Sequence, residues 1–168
     1  MAQPKTSQSE FDAKIAVVSD IDWARFAAYL DSEGCIFIGR TNIHKGTKMP
    51  QFVLTLVIGN TDLRLIRWLS ETFSGEHYII PDNKLSKKIG YSWRVHEKRA
   101  AILLEHCMRY MICKRDQAEI ALAYRALRDQ GSKGRKLTLV DVQGRDELRN
   151  KLCTLNRPKI LENSQETA

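Results

Sequence analysis

Residues 26–34 read F-A-A-Y-L-D-S-E-G, an alanine-rich apolar run that ends in two acidic residues and a glycine. Apolar side chains in and before this run recur every three or four positions, at Trp23, Phe26, Ala27 and Leu30. This spacing predicts a helix that Asp20 or Asp22 can cap and that Gly34 ends. The helix therefore delivers a pair of carboxylates to its carboxyl end.

The period of the apolar residues changes after Gly34. From Cys35 onward they alternate with other residues, which predicts a β-hairpin with its turn at 42–48. Further elements follow in order: a helix from Asn60 or Thr61 to 73, strands at 77–81 and 90–95, helices at 98–111 and 115–128, and a short helix at 146–155. The fold class is α+β, with an αββαββα core, a four-stranded antiparallel sheet and additional C-terminal helices. Residues 1–19 are expected to form an N-terminal arm, 20–155 one domain and 156–168 a flexible tail.

The chain of 168 residues carries 27 Lys and Arg against 20 Asp and Glu, a formal charge of +7. Residues 1–33 hold three basic and six acidic residues, whereas residues 84–115 hold nine basic and two acidic ones. A basic surplus of this kind favours a polyanionic partner, although a solvated charged face is the alternative for the basic window.

Several classes of protein are excluded by what the sequence lacks. The first residues are polar, without the apolar segment of a secretory signal, so we expect an intracellular protein, in the cytoplasm or in an organelle with its own genome, that is not secreted. Apolar runs are far shorter than the ~20 residues of a membrane span, so no membrane partner is expected. The cysteines Cys35, Cys107, Cys113 and Cys153 lack zinc-binding spacing and are interpreted as free, mostly buried thiols.

The small residues of the first helix predict a close helix contact. Ala24, Ala27 and Ala28 allow another helix backbone to approach, and a two-fold partner would bring a second pair of carboxylates beside Asp31 and Glu33. Four carboxylates around one axis repel each other unless a divalent cation lies between them. The alternative is that the alanines pack within one subunit and the acids lie on its surface.

The run at 26–34 resembles the motif of the LAGLIDADG homing endonucleases. Ala27, Asp31 and Gly34 match by letter, and the other six positions match by class. The αββαββα order over roughly residues 20–155 agrees with the family's core. The chain contains a single copy of the motif, which in this family implies a homodimer.

The resemblance implies a Mg²⁺-dependent, site-specific endonuclease, intron-encoded or intein-encoded, that cuts double-stranded DNA at a long, nearly palindromic site. Glu33 takes the position of the metal-binding carboxylate, with the Ser32 carbonyl as an auxiliary ligand and Asp31 in a structural role. Asn60, Arg64 and Lys114 take catalytic positions: Arg64 and Lys114 to stabilise charge on the phosphate, and Asn60 to orient the attacking water. Mn²⁺ is expected to substitute for Mg²⁺, and Ca²⁺ to support binding without cleavage.

DNA contacts are expected on the sheet face opposite the core and in the hairpin turns. The expected contacts are Arg40, Asn42, His44, Gln51, Val53, Thr55, Lys84, Lys87, Lys88, Ser92, Arg94 and His96. Strict alternation puts Arg40 and Asn42 on the side of Ile38, so their exposure on the DNA face requires a bulge or a strand that extends past the core. The three lysines are expected to meet phosphates rather than bases.

Two other functions are compatible with the same fold and charge. The first is an RNA-binding maturase that assists intron splicing, and the second is a DNA-binding regulator without cleavage activity. The second is disfavoured because Glu33, Arg64 and Lys114 are all chemically competent.

Overall fold

The computed structural model describes residues 6–41, 49–80, 89–130 and 137–157. Its elements are α1 (Gln8–Ala16), α2 (Asp20–Glu33), β1 (Gly34–Thr41), β2 (Gln51–Asn60), α3 (Leu63–Phe73), β3 (Glu76–Ile80), β4 (Gly90–His96), α4 (Glu97–Cys107), a 3₁₀ turn (Met108–Tyr110), α5 (Arg115–Asp129) and α6 (Leu139–Leu155). The prediction of an α+β fold with four antiparallel strands is confirmed.

The sheet has the strand order β1-β2-β4-β3, and every neighbouring pair is antiparallel. Because side chains alternate across a strand, one face of the sheet is apolar and packs on the helices. This inner face is formed by Ile36, Ile38, Phe52, Leu54, Leu56, Ile58, Trp93 and Val95, all buried. The opposite face, called the outer face below, carries the alternate residues of each strand.

Helix α2 begins and ends for different physical reasons. Its cap is Ser19, whose hydroxyl accepts a hydrogen bond from the Asp22 amide at 3.2 Å, so the prediction of a cap by Asp20 or Asp22 is wrong. Gly34 ends the helix as predicted. Its backbone is extended, and glycine is needed there for space: a Cβ would lie 2.6 Å from both the carbonyl oxygen and Cδ1 of Leu30.

The N-terminal segment is more ordered than the sequence suggested. Helix α1 opens with a reciprocal capping box between Ser7 and Glu10 and buries Phe11 and Ile15 in the core. The guanidinium of Arg99 lies 5.1 Å from the ring centroid of Phe11 and ties this helix to α4. The prediction of an arm is therefore wrong for residues 8–16, because two well-placed apolar residues are enough to dock so short a helix.

Two other element starts differ from the sequence prediction. Asp62, rather than Asn60 or Thr61, caps α3. Helix α6 starts at Leu139 instead of residue 146, because Thr138 and Asp141 form a second capping box. Of the predicted tail, Asn156 is held by a 2.8 Å hydrogen bond from its side-chain amide to the Ile36 carbonyl, and residues 158–168 lie outside the described part.

The thiols are free, but only Cys107 is fully buried. Cys35 and Cys113 are exposed and Cys153 is half-buried, so the prediction of mostly buried thiols is wrong. Within the described ranges, no helix combines the length and the apolar character needed to cross a bilayer.

Candidate active site and nucleic-acid interface

The carboxyl end of α2 is fastened to the loop before α5 by Asp31. Its carboxylate accepts backbone hydrogen bonds from Ile112 at 2.6 Å, from Cys113 at 3.2 Å and from Lys114 at 3.0 Å. Hydrogen bonds to an ionised acceptor are among the strongest in proteins, so this contact fixes the loop against the helix end. The arrangement agrees with the structural role expected for Asp31. The assignment of Asp31 to a dimer interface stays a prediction.

Lys114 lies at the same helix end. Its half-buried ammonium donates to the carbonyl of Leu30 at 2.9 Å and to the carbonyl of Asp31. The carboxyl end of a helix carries partial negative charge, which attracts a cation. The ammonium is thereby fixed two residues from Glu33, with one of its three donor positions still available.

Glu33 and Asn60 meet although 27 residues separate them in sequence. Glu33 is exposed at the last position of α2, and Asn60 is half-buried at the end of β2. The side-chain amide of Asn60 donates a hydrogen bond to the Glu33 carboxylate, and its oxygen accepts one from the Asp62 backbone at 2.7 Å. The structure therefore brings together three of the four predicted catalytic residues.

Arg64 occupies the first turn of α3 and is paired with Asp62. Their closest atoms, Nη2 and Oδ2, are 2.6 Å apart, and the Arg64 backbone amide donates to the same carboxylate at 2.9 Å. The Arg64 guanidinium beside Asp62 lowers the pKa of that carboxyl to about 2. The Arg64 side chain is otherwise 90% exposed. Sequence reasoning missed Asp62, although an Asp at the start of a helix with an Arg two residues later was a readable signal.

A groove of about 410 Å³ separates α2 from the start of α3. Its lining combines basic and aromatic side chains: Arg25, Tyr29, Asp62, Arg64, Leu65 and Trp68. The rings of Tyr29 and Trp68 lie 6.1 Å apart across it. The exposed guanidinium of Arg64 is therefore at the edge of an open space beside the end of α2.

The carboxyl end of α2 presents oxygen atoms of the type that a hard divalent cation prefers as ligands. Glu33 offers an exposed carboxylate, and Ser32 a backbone carbonyl in the last turn of the helix. In the described part of the chain, no group of three or more His, Cys, Asp and Glu residues is arranged to hold a metal ion. One chain thus supplies one carboxylate and one carbonyl of a suitable kind, and a second copy would double this set.

The surface of α2 that is available for contact with a partner helix is narrower than the sequence predicted. Ala28 is exposed and Ala24 half-buried, so both are placed as a helix contact requires. Ala27 is 0% exposed in the chain's own core, and its assignment to a dimer interface is wrong. Ile21, 66% exposed, lies on the same face as Ala24 and Ala28. This outward strip is small and apolar.

The outer face of the sheet carries six of the predicted DNA contacts, and four of these six are accessible. Gln51, Arg94 and His96 are exposed, and Val53 is half-buried. Thr55 and Ser92 lie on this face but are only 4% and 2% exposed, so the prediction that they contact DNA directly is wrong. Their neighbours cover them.

Hydrogen bonds show how these two residues are used instead. The Thr55 hydroxyl and Nδ1 of His96 are 3.0 Å apart, and Nε of Arg94 donates to the Ser92 hydroxyl at 3.3 Å. Each buried hydroxyl therefore orients an exposed basic or imidazole side chain of the outer face.

Arg40 lies on the wrong side of the sheet for a DNA contact on the outer face. It pairs in register with Phe52, which is a core residue, and its Nε is 3.2 Å from the Asp146 carboxylate of α6. Neither a bulge nor a change of face occurs in β1, so the strict alternation of side chains decides its orientation. Its prediction as a DNA contact on that face is wrong.

Tyr78 is an outer-face residue that sequence reasoning missed. The guanidinium of Arg94 lies 5.4 Å from its ring centroid, and its hydroxyl donates to Glu76, which raises the pKa of the phenol. The alternation in β3 could have indicated Tyr78, but its diagonal contact with Arg94 depends on the register that pairs Tyr78 with Ser92. The remaining predicted contacts, at Asn42, His44, Lys84, Lys87 and Lys88, lie outside the described residues.

Comparison of the sequence with protein-family models and with curated proteins gives no match. Solved structures do match. The chain superposes on the homing endonuclease I-CvuI in complex with the I-CreI target, with a TM-score of 0.66 and 16% identity, over 83% of this chain and 85% of that one. It also matches I-Vdi141I, an archaeal intron-encoded homing endonuclease complexed with DNA, with a TM-score of 0.69, 12% identity and coverage of 83% and 86%.

A third solved structure differs in length. I-SmaMI, bound to an uncleaved DNA target with calcium ions, matches with a TM-score of 0.62 and 17% identity, over 79% of this chain but only 44% of that chain. The α+β fold seen here is thus the fold of the LAGLIDADG homing endonucleases, and the resemblance drawn from residues 26–34 is confirmed for the fold.

Proposed function

We propose that this protein is a homodimeric, divalent-metal-dependent endonuclease that cuts double-stranded DNA at a long, nearly palindromic site. The observation that carries the proposal is the convergence at one end of α2 of the Glu33 carboxylate, Asn60 and the Lys114 ammonium. These residues come from three separate parts of the chain.

The outward strip of α2 supports the homodimer. Each chain offers one Glu33 and one Ser32 carbonyl, and a two-fold axis along the outward strip of α2 would place two such sets side by side. The exposed Ala28 and half-buried Ala24 provide the close approach that two such helices need.

Each residue then has a chemical part. Glu33 and the Ser32 carbonyl would hold Mg²⁺, which, when bound, polarises the phosphate and favours a hydroxide nucleophile. Lys114, held by the α2 carbonyls, supplies positive charge where negative charge develops on the phosphate. Arg64, exposed at the groove, supplies a second cation that can make two parallel hydrogen bonds to phosphate oxygens.

The outer face supplies recognition. Strand β2 has ten residues, which at ~3.3 Å each extend about 33 Å, close to the length of ten base pairs of duplex. Two sheets would therefore cover about 20 base pairs. Gln51, Arg94 and His96 are the exposed polar side chains along this path, and Arg94 matches the hydrogen-bond pattern of guanine.

The proposal is tested by selection from a randomised duplex library with Ca²⁺ present, followed by cleavage of the selected duplexes in Mg²⁺ or Mn²⁺. We expect selected sites of about 20 base pairs with two-fold symmetry, double-strand breaks near the centre, and a dimer in sedimentation. A chain that selects no duplex but binds structured RNA would instead be the maturase. Selection of a duplex that no metal allows the protein to cut would identify the DNA-binding regulator.

A further inference from the structure

We propose that Asn60 is a positioning residue for Glu33, and that the two side chains form a pair of matched length. This inference rests on the proposed nuclease function, since Glu33 is there the metal-binding carboxylate. It replaces the role expected for Asn60 in orienting the attacking water. The pair is the only direct side-chain hydrogen bond between α2 and the end of β2 in the described residues.

The orientation of the Asn60 amide is set by two partners of opposite character. Its oxygen faces the Asp62 backbone N–H at 2.7 Å, and its nitrogen faces the Glu33 carboxylate. A flipped amide would place its NH₂ against that N–H and its oxygen against the carboxylate, and both contacts would be repulsive. Asn60 is therefore held as a donor toward Glu33.

Asp62 also gives the amide a rigid base. Its backbone N–H lies at the cap of α3, where its carboxylate accepts from the Arg64 amide at 2.9 Å. Asn60 is itself half-buried at the end of β2, whereas Glu33 is exposed and has no other side-chain partner among the described residues. The flexible member of the pair is thus Glu33, and Asn60 reduces the freedom that its carboxylate would lose on binding a cation.

The contact depends on the combined length of the two side chains. Glu33 contributes two methylenes and Asn60 one. Glu33→Asp leaves the pair one methylene short, whereas Asn60→Gln makes it one methylene too long. The double variant Glu33→Asp with Asn60→Gln restores the total while retaining a carboxylate opposite an amide.

The first measurement needs neither metal nor DNA. The nitrogen-15 side-chain amide signals at position 60 are compared in the wild type, the two single variants and the double variant. We expect a hydrogen-bonded amide proton in the wild type, its loss in both single variants, and its return in the double variant. Glu105→Asp and Asn150→Gln, on exposed faces of α4 and α6, are matched controls and should leave the signal unchanged.

The second measurement is the Mn²⁺ concentration that gives half-maximal cleavage of the selected duplex. Removal of a residue that orients a metal ligand typically weakens metal binding by 10–100-fold. We expect each single variant to require at least about 10-fold more Mn²⁺, and the double variant to lie within about threefold of the wild type. Thermal unfolding midpoints should be similar for all four proteins, because both side chains are at the surface or near it.

Each outcome decides the proposal. A double variant that recovers both the amide signal and the Mn²⁺ dependence supports it. Single variants that keep the wild-type amide signal overturn the pair. An amide pattern as expected with an unchanged Mn²⁺ dependence overturns the positioning role. A wild type that binds the duplex and never cuts it would contradict the nuclease and the positioning role together, while the amide signals still report whether the pair exists.

Discussion

The carboxyl end of α2 and the outer face of the sheet are organised in opposite ways. At the helix end, Asp31 and Lys114 together make five hydrogen bonds to backbone groups. On the outer face, exposed side chains are held by other side chains, as His96 is by Thr55 and Arg94 is by Ser92 and Tyr78.

The difference suggests a division of tasks. Backbone-anchored groups cannot shift without moving a helix or a loop, so they suit chemistry that requires a fixed geometry. Side chains held only by other side chains can be exchanged without loss of the fold, so they suit recognition of a particular sequence. Substitutions of the backbone-anchored Asp31 and Lys114 should therefore change both rate and stability, and substitutions on the outer face should change preference among duplexes.

The largest effect is expected for Glu33→Gln. This change removes the metal-binding charge and keeps the size, so cleavage in Mg²⁺ should fall by at least about 100-fold, the cost of losing a group that stabilises the transition state. Duplex binding in Ca²⁺ should stay within a few fold of the wild type, because the outer face is untouched. Both are measured on the selected duplex, and normal cutting by this variant would reject the site.

The next largest effect is expected for Lys114→Ala, which removes the cation bound at the carboxyl end of α2. Loss of a charge that acts on the phosphate should slow cleavage by about 100-fold with a smaller change in duplex affinity. Because the ammonium also binds the Leu30 carbonyl, the unfolding midpoint should fall as well. If affinity alone changed, Lys114 would be a phosphate anchor only.

The two neighbouring alanines sharpen the comparison within α2. Ala27→Leu overpacks the chain's own core and should lower the free energy of unfolding by about 1–3 kcal/mol. Ala28→Leu adds the same atoms on the exposed side, so it should leave that free energy nearly unchanged and weaken the dimer. Denaturant unfolding and sedimentation measure the two effects, and a stable dimer of the Ala28→Leu protein would place the interface elsewhere.

A smaller effect is expected on the outer face. Arg94→Ala should reduce discrimination at one base pair in each half-site by about 1–3 kcal/mol, without a change in cleavage rate on the best duplex. Selection profiles of the variant and the wild type make the comparison. A preference lost in only one half-site would contradict a symmetric dimer.

The smallest effect concerns the thiols beside the site. Cys113 precedes Lys114 and Cys35 lies on the outer face beside Val57, so bound duplex should slow alkylation of both at pH 8. Although Cys35 is exposed, the protein atoms around its thiol partly desolvate it and raise its pKa, so less of it is thiolate at this pH and it should react more slowly than Cys113. Burial raises the pKa of Cys107 to about 12, and it should react only on unfolding. Mass spectrometry of the labelled protein resolves all three.

The local sequence was enough to predict most of the helices and strands and the type of chemistry at the candidate site. The hairpins, α2 and its stop at Gly34 follow from apolar spacing and from turn residues. The start of α6 was missed because its first apolar residues, Leu139 and Val140, are exposed and Gly144 interrupts the first turns, and α1 was missed because two buried apolar residues leave a weak periodic signal. The local sequence pattern predicts which face of a helix or strand is buried, but it does not predict which other element packs against that face.

The sequence by itself determined that Asp31 and Glu33 lie at a helix end and that Gln51, Arg94 and His96 share one face of a sheet, because both follow from the period of the backbone. The tertiary structure alone decided that Asp31 binds the loop before α5, that Ala27 is core and Ala28 is surface, and that Asn60 meets Glu33. Each of these depends on which distant segment packs against the residue. The period of a helix or strand determines on which side of the element a side chain lies. The segment that this side chain contacts is determined by long-range packing.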